Sequence, residues 1–343
     1  MNEMDTLRDL VKFNTIKDKD NQGILTYIEN YLKTLGIFLE KKEKYLIMSI
    51  GKEPILGFIG HSDTVNYIEG WSTNPFDVTV KDDNIYGLGV CDMKGGIAAF
   101  LQALAEIDLN TLKRGIKVYI TYDEEIAFSG IKEILKSHEQ FPEYIIVGEP
   151  TDNQIITGCK GLLAVRIKTK GKKVHSSTPD KGKSANLEMI KLLNELQNFY
   201  EKEIKIERND NYEVNYTTMN IGLINGGNSI NSVSDKCESF IDFRIAKEEH
   251  IEKIKQKINE LSEKYKADIY YEIEIQPFFN NIDFLENKKT ANFMTEASWV
   301  KGKRIILGPG PITAHEINEH ISIKSLRLLI EQYKGLIEKI CNQ

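Results

Sequence analysis

The chain has 343 residues, 41% of them hydrophobic and 28% charged, which is typical of a globular protein of about two domains. Its net charge of −6 and its scattered lysines argue against nucleic-acid binding, and no apolar run approaches the roughly 18 residues of a membrane span. The polar N-terminus lacks the features of a signal peptide, and the four cysteines are far apart without a CxxC pair, so we expect reduced thiols and a cytoplasmic location.

The first sharp signal is a short apolar run at residues 54–60, after two predicted amphipathic helices at 3–11 and 22–35. Such a run is typical of a parallel strand that is buried on both faces. It ends in His61 and Asp63, whose side chains point to the same side of an extended backbone. A ligating imidazole usually needs a partner for its other nitrogen, so Asp63 can orient His61. An ordinary strand-end histidine followed by a turn aspartate is the alternative.

A glycine-rich stretch at residues 85–96 follows a predicted loop at 66–83 and opens into a helix with apolar positions from Ile97 to Leu104. Asp92 stands where the first helical amides are unpaired and the dipole favours an anion, so a simple cap is one interpretation. A single carboxylate there could also bridge two cations, one with each oxygen. A dinucleotide fingerprint is excluded, because Asp92 occupies the third glycine position and would repel a pyrophosphate.

Two further apolar runs, 115–122 and 144–147, predict buried strands that also end in acidic residues. The first is followed by three adjacent acids that include Glu124 and Glu125, and the second by Glu149. Adjacent acids are tolerated on a solvated loop or where a cation neutralises them. In the second case Glu125 can ligate a metal while Glu124 faces a water as a general base. Together the strand ends predict a mostly parallel α/β sheet with a site along its carboxyl edge.

The pattern changes between residues 160 and 277, where strand, helix, two strands, helix and strand follow one another. This order predicts a small α+β domain of the ferredoxin-like kind. We therefore predict an inserted domain at 160–277 and a first domain formed by 1–159 and 278–343. The second segment of the first domain, residues 278–343, carries His315 after a rigid Gly-Pro turn at 308–311. A single histidine there would by itself be unremarkable.

The motifs as a set resemble the di-zinc amidohydrolases and exopeptidases. That family includes acetylornithine deacetylase, succinyl-diaminopimelate desuccinylase, acetyl-lysine deacetylase, aminoacylase and glutamate carboxypeptidase. The stretches that carry the resemblance are GHSDTV (60–65), GLGVCDMKGG (87–96), TYDEE (121–125), VGEPT (147–151), TAHEINE (313–319) and, in the inserted domain, GKKVHSSTPDKGKSAN (171–186) and INGGNSINSVSD (224–235). The match runs in order along nearly the whole chain. It implies a di-metal catalytic domain with an inserted lid and dimerisation domain.

The resemblance also implies a role for individual residues of the catalytic domain. Five of them would hold two metal ions, namely His61, Asp92, Glu125, Glu149 and His315. Asp92 would bridge the ions, His61 and Glu149 would complete one site, and Glu125 and His315 the other. Asp63 would orient His61, and Glu124 would be the general base. Nitrogen and carboxylate ligands without cysteine suit two Zn²⁺ ions, and also Co²⁺ or Mn²⁺.

In the inserted domain the resemblance singles out three more residues. His175 would reach the scissile carbonyl oxygen, in many members of the family from the partner subunit of a homodimer. Arg244 and Asn231 would hold the carboxylate of the substrate. One departure is Phe128, which stands where the family often has a glycine-containing run, and we expect it to narrow the site.

The function that the resemblance implies is metal-dependent hydrolysis of the amide bond of an N-acyl amino acid, with acetylornithine as the first expected substrate. The GPGP turn before His315 resembles the deacetylases for basic amino acids and is the only cue for the substrate. Succinyl-diaminopimelate and acetyl-lysine are alternatives, as is a dipeptidase or carboxypeptidase activity on dipeptides. A metal-binding relative without activity is an alternative of another class. We expect no nucleic-acid or membrane partner.

Overall fold

The computed structural model describes residues 3–17, 19–35 and 38–343. The chain divides into two compact units. Unit 1 comprises Met1–Thr157, Asn280–Lys289 and Thr295–Gln343, and unit 2 comprises Gly158–Phe279 and Thr290–Met294. The sequence did not predict the excursion of Thr290–Met294 into unit 2. No helix within the described residues is long and apolar enough to cross a membrane.

The helices and strands of the described residues have the following bounds. The α-helices are α1 (Glu3–Lys12), α2 (Gln22–Lys33), α3 (Lys94–Glu106), α4 (Glu124–Ala127), α5 (Ser129–Lys136), α6 (Ala185–Phe199), α7 (Glu249–Tyr265) and α8 (Ile323–Cys341). The strands are β1 (Phe38–Lys41), β2 (Tyr45–Ile50), β3 (Leu56–His61), β4 (Thr79–Lys81), β5 (Asn84–Tyr86), β6 (Ile116–Thr121), β7 (Tyr144–Val147), β8 (Ile156–Cys159), β9 (Gly161–Lys170), β10 (Thr218–Gly226), β11 (Lys236–Ile245), β12 (Asp268–Ile275), β13 (Phe278–Phe279), β14 (Lys289–Ala291), β15 (Lys303–Ile306) and β16 (His320–Ser322).

The large sheet of unit 1 has four parallel strands at its centre, in the order β6-β3-β7-β15. Strands β2 and β1 continue it beyond β6 in antiparallel orientation. Every residue of β3 and β7 is buried, as expected for parallel strands that are covered on both faces. Because β3, β6 and β7 are parallel, their carboxyl ends lie at one edge, and the predicted mostly parallel α/β sheet is confirmed.

Helix α3 packs tightly against this sheet, and every residue from Lys94 to Leu104 is buried. The ring of Phe100 stacks on that of Phe58 in β3, with 3.9 Å between the centroids. A Cβ atom on Gly96 would lie 2.1 Å from the carbonyl oxygen of Gly148, so only glycine allows this close approach. The start of α3 therefore lies against the end of β7, which brings the segments of Asp92 and Glu149 together.

Unit 2 contains a four-stranded antiparallel sheet in the order β10-β11-β9-β12. Alternate residues of β11 are buried, and they share one hydrophobic core with apolar residues of α6 and α7. With the helices placed between the strands in the chain, this is the predicted ferredoxin-like arrangement. Strand β10 is an edge strand of this sheet.

One local prediction and one alternative interpretation differ from the structure. The predicted loop at 66–83 contains β4, which forms a hairpin with β5 through Asp82 and Asp83, both with positive φ as tight hairpin turns require. The acidic run after β6 forms the short helix α4 instead of a loop.

Candidate metal centre

Five carboxylate and imidazole side chains meet at the carboxyl edge of the parallel sheet in unit 1. They are His61 at the end of β3, Asp92 before α3, Glu125 in α4, Glu149 after β7 and His315 before β16. Within the described residues, donor atoms of His61, Asp92 and Glu149 lie within 4.8 Å of one another, and so do those of Asp92, Glu125 and His315. Asp92 belongs to both groups.

Asp92 faces two imidazoles with its two carboxylate oxygens. Its Oδ1 lies 3.1 Å from Nε2 of His61, and its Oδ2 lies 3.3 Å from Nε2 of His315. The helix itself starts after Met93, which is the N-cap residue of α3. The contacts of the carboxylate are therefore those of a bridging group, and the interpretation of Asp92 as a simple cap is not supported.

The ring of His61 is held by the main chain of Asp63. Nδ1 of His61 lies 3.0 Å from the carbonyl oxygen of Asp63 and 3.7 Å from its Oδ1. The Asp63 carboxylate accepts hydrogen bonds from the main-chain N–H groups of Glu124 and Glu125, each at 3.2 Å. Asp63 thus positions both the imidazole and the start of α4, the first through its carbonyl group.

The two adjacent glutamates of α4 face different histidines. Both carboxylate oxygens of Glu125 lie 3.3 Å from Nε2 of His315, whereas Oε2 of Glu124 lies 4.0 Å from Nε2 of His61. The chain turns into α4 at Asp123 and leaves it at Phe128, both with positive φ. Because of this turn, Glu125 can ligate a metal ion beside His315 while the carboxylate of Glu124 stays near His61.

The three residues predicted to contact substrate belong to unit 2. Nδ1 of His175 accepts a hydrogen bond from the main-chain N–H of Ser177 at 3.2 Å, which places the ring proton of a neutral imidazole on Nε2. The main chain of Asn231 lies beside it, because its carbonyl oxygen accepts from N–H of Ser176 at 3.0 Å. Arg244 lies on β11, where its Nε donates to Oδ1 of Asp242 at 3.0 Å.

Known proteins resemble both the sequence and the fold of this chain. An M20 family profile described as a peptidase dimerisation domain matches residues 157–269. An acetylornithine deacetylase from Photorhabdus laumondii is 31% identical, over 94% of this chain and 92% of its own. The chain belongs to the M20 family of metal-dependent amide hydrolases.

Solved structures share the fold of this M20 hydrolase. A tripeptidase from Staphylococcus aureus is 24% identical with a TM-score of 0.82, and the match covers 100% of both chains. A dinuclear metal-binding M20 peptidase from Bacillus subtilis is 14% identical with a TM-score of 0.73, over 99% of this chain and 97% of its own. The two-unit architecture is therefore that of the M20 fold.

The charges of this M20 site favour a cation. Burial raises the pKa of Glu124 and of Glu149 well above the usual value, and neighbouring carboxylates add to the effect. Burial would lower the pKa of His61, but its hydrogen bond to Asp92 and the nearby acids raise it well above the usual value. Hydrogen bonds to Asp92 and Glu125 raise the pKa of His315 to about 10. Acidic side chains packed this closely are stabilised by positive charge among them, and the residues fit a pair of divalent cations.

Sequence reasoning missed a buried carboxylate near these residues. Glu296 is 0% exposed, and its Oε2 accepts a hydrogen bond from Oγ1 of Thr121 at 3.0 Å. Its Oε1 has no hydrogen-bond partner within the part of the chain that the structure describes. Burial raises the pKa of Glu296 to about 7. No periodicity or motif in the sequence distinguishes this residue.

Phe128, the residue at which the sequence departs from the family pattern, lies with its ring centroid 5.8 Å from that of Trp299.

Glu296 predicts a pH dependence of folding in the metal-free protein. In the unfolded chain this carboxyl ionises near 4.5, but in the folded chain only near 7, so rising pH in this window favours unfolding. We expect Glu296→Gln to be more stable than wild type by a margin that grows by about 2.5 kcal/mol between pH 5 and pH 8. Urea denaturation at both pH values measures it. The exposed Glu286→Gln is the control, and a margin that stays constant with pH contradicts the prediction.

Proposed function

We propose that this M20 hydrolase releases the acyl group from an N-acyl amino acid, with N-acetylornithine as the substrate. The observation that carries the proposal is the pair of donor groups that share Asp92, with Glu124 beside them. Support for the substrate comes from the acetylornithine deacetylase that is 31% identical over 94% of the chain. None of the four cysteines, all of them described, forms a disulfide, which agrees with the cytoplasmic location that we also propose.

The proposal assigns the metal ligands as follows. His61 and Glu149 would hold one ion, Glu125 and His315 would hold the other, and Asp92 would belong to both sites. This set of imidazoles and carboxylates suits Zn²⁺, and Co²⁺ or Mn²⁺ are alternatives. Held by these residues, two such ions would supply polarisation of the amide carbonyl and a lowered pKa of the attacking water, towards 7.

Glu124 moves the proton in the proposed reaction. Its carboxylate takes a proton from the attacking water and later gives it to the nitrogen of the leaving amine, so that water and amide become a carboxylic acid and an amine. The Asp63 carboxylate, which binds the amides of Glu124 and Glu125, keeps the base in place.

His175 supplies a hydrogen-bond donor in the proposal. Since Nδ1 accepts from Ser177, Nε2 carries the proton and can donate to the carbonyl oxygen as negative charge develops on it. One such donor contributes roughly 3–4 kcal/mol to transition-state stabilisation. We propose that it acts across a homodimer, from the partner subunit.

Arg244 and Asn231 are proposed to bind the substrate carboxylate. The side chain of Arg244 is 36% exposed, and its guanidinium group is held at Nε by Asp242, so its terminal N–H groups are oriented. We expect Arg244→Ala to raise KM by roughly 10- to 100-fold with kcat little changed, the usual worth of a charge-assisted hydrogen bond. Steady-state kinetics test this, with Arg166→Ala on the neighbouring strand as the control. An unchanged KM removes Arg244 from the substrate site.

The proposed homodimer rests on unit 2. Helix α6 and the edge strand β10 each carry two large apolar side chains that are more than half exposed, Leu187 and Ile190 on α6 and Leu223 and Ile224 on β10. An edge strand with exposed apolar residues is a template for pairing, and the M20 profile matched here is described as a dimerisation domain. We propose that this face of α6 and β10 joins two copies of the chain.

The dimer predicts the effect of a charge on this face. We expect Ile190→Glu to convert the protein to a monomer in light scattering coupled to size exclusion, because an isoleucine buried between copies becomes a buried charge. The control is Leu328→Glu, an exposed leucine of unit 1. A dimer that persists in Ile190→Glu excludes this face.

A substrate panel tests the function itself. Protein stripped of metal and reloaded with Zn²⁺ or Co²⁺ is assayed for free amine released from N-acetylornithine, N-acetyllysine, succinyl-diaminopimelate, N-acetylmethionine and dipeptides. A clear preference for N-acetylornithine supports the proposal, and activity confined to dipeptides replaces it with a peptidase. Inactivity with two ions bound would favour a non-catalytic relative.

A further inference from the structure

Glu319 is a buried carboxylate that binds the main chain on both sides of Cys91. It is 2% exposed. Its Oε1 accepts from N–H of Cys91 at 2.7 Å and from N–H of Asp92 at 3.0 Å. Its Oε2 accepts from N–H of Gly89 at 2.8 Å. Both oxygens are therefore occupied by amide donors of the loop that carries Asp92.

The main chain of Glu319 is tied to the same region. Its carbonyl oxygen accepts from N–H of Gly87 at 3.2 Å, and the next residue, His320, pairs with Tyr86 where β16 joins β5. Glu319 also lies four residues after His315. One residue thus connects the loop of Asp92 to the segment of His315, although Asp92 and Glu319 are 227 positions apart in the chain.

The direction of the hydrogen bonds makes a carboxylate necessary. Each oxygen accepts from an N–H group, so an amide side chain would turn an NH₂ group towards a main-chain N–H and lose at least one bond. Alanine would leave three buried N–H groups without this acceptor, which is costly. Burial raises the pKa of Glu319, and the hydrogen bonds from the N–H groups of Gly89, Cys91 and Asp92 oppose that shift. The buried Lys94, whose Nζ donates to the carbonyl oxygen of Phe13 at 2.9 Å, adds a favourable interaction with the Glu319 carboxylate.

The side chain of Asp92 can bridge two ions only if its main chain is fixed. One of its carboxylate oxygens faces His61 in the first donor group, and the other faces His315 in the second. A small rotation of the loop would therefore move one oxygen away from its histidine. The hydrogen bond of Glu319 to N–H of Asp92 itself prevents that rotation. Loss of a group that holds a metal ligand without touching the metal typically lowers metal affinity by 10- to 100-fold.

We propose that Glu319 is a positioning residue that holds Asp92 in its bridging orientation and fixes the segment of His315 relative to it, so that both metal ions depend on it. The inference rests on the proposed di-metal function. Three donor groups are found within the described residues, the two that share Asp92 and a third of His61, Glu124 and Glu125, and Glu319 belongs to none of them. Its effect is therefore exerted through Asp92 and His315.

Calorimetric titration of the metal-stripped full-length protein with Zn²⁺ tests the proposal, with the absorption spectrum of the Co²⁺ form as a second readout. We expect Glu319→Gln to bind both ions 10- to 100-fold more weakly and to change the Co²⁺ spectrum. KM for the substrate should be unchanged once excess metal has loaded the site. Glu316→Gln, an exposed residue of the same segment, is the control for metal affinity and should match wild type.

Affinities and spectrum equal to those of wild type in Glu319→Gln overturn the inference. If that variant does not fold, Glu319→Asp keeps the charge and shortens the reach by one methylene group, and unchanged zinc affinity in it overturns the inference equally. The titration of wild type separates this failure from that of the proposed function. Two ions bound equally well by wild type and variant reject only the role of Glu319, whereas no binding by wild type rejects the di-metal function.

Discussion

Replacement of Glu124 by glutamine is expected to lower kcat by about 10²- to 10⁴-fold while two metal ions stay bound. Glutamine has the shape of glutamate but does not accept the proton of the attacking water. The donor groups around His61 and His315 that share Asp92 do not need Glu124, so the metal content should not change. Turnover of N-acetylornithine and metal analysis by mass spectrometry measure the two quantities.

The neighbouring residue provides the matched control for this variant. Glu125 is adjacent to Glu124 in α4, but its carboxylate lies 3.3 Å from His315 in a donor group. Glu125→Gln is therefore expected to lose metal, and Glu124→Gln to lose rate alone. Near-wild-type turnover of Glu124→Gln would remove it as the base, and a loss of metal from it would assign it to the ligands instead.

Asp92→Asn is expected to abolish detectable activity and to release both ions. The substitution removes the one negative charge that both sites share and turns one of its two oxygens into an NH₂ group, which cannot bind a cation. We expect each affinity to fall by more than the roughly 10- to 100-fold that the loss of an outer partner costs. Metal analysis after dialysis measures the loss.

The variant His315→Ala distinguishes the loss of a shared metal ligand from general damage to the metal centre. His315 belongs to only one of the two donor groups that share Asp92. We therefore expect His315→Ala to retain the ion at His61 and Glu149, whereas Asp92→Asn retains neither. Retention of one tightly bound ion by Asp92→Asn contradicts a shared ligand.

The sequence predicts the positions of the site residues because short apolar runs mark buried parallel strands. His61 and Glu149 follow such runs directly, and the parallel order of β3, β6 and β7 places their ends at one edge. The roles of the residues came from the resemblance to a family. The roles of the five metal ligands and of Glu124 and Asp63 stay predictions, as do those of His175, Arg244 and Asn231.

The partners that hold the site could not be predicted, because they are distant in the chain. The bond from Asp92 to Glu319 spans 227 residues, and the bond from Thr121 to Glu296 spans 175. No local pattern reports such pairs. The carbonyl contact of Asp63 was also missed, since an Asp two residues after a histidine suggests its carboxylate as the partner, and only the backbone turn decides otherwise.

The anomalous scattering of crystals of the zinc-loaded protein, recorded at the zinc edge, tests the di-metal centre most directly. We predict two peaks about 3.5–4 Å apart, one among His61, Asp92 and Glu149 and the other among Asp92, Glu125 and His315. A single peak, or two peaks of which either lies away from Asp92, would contradict the assignment.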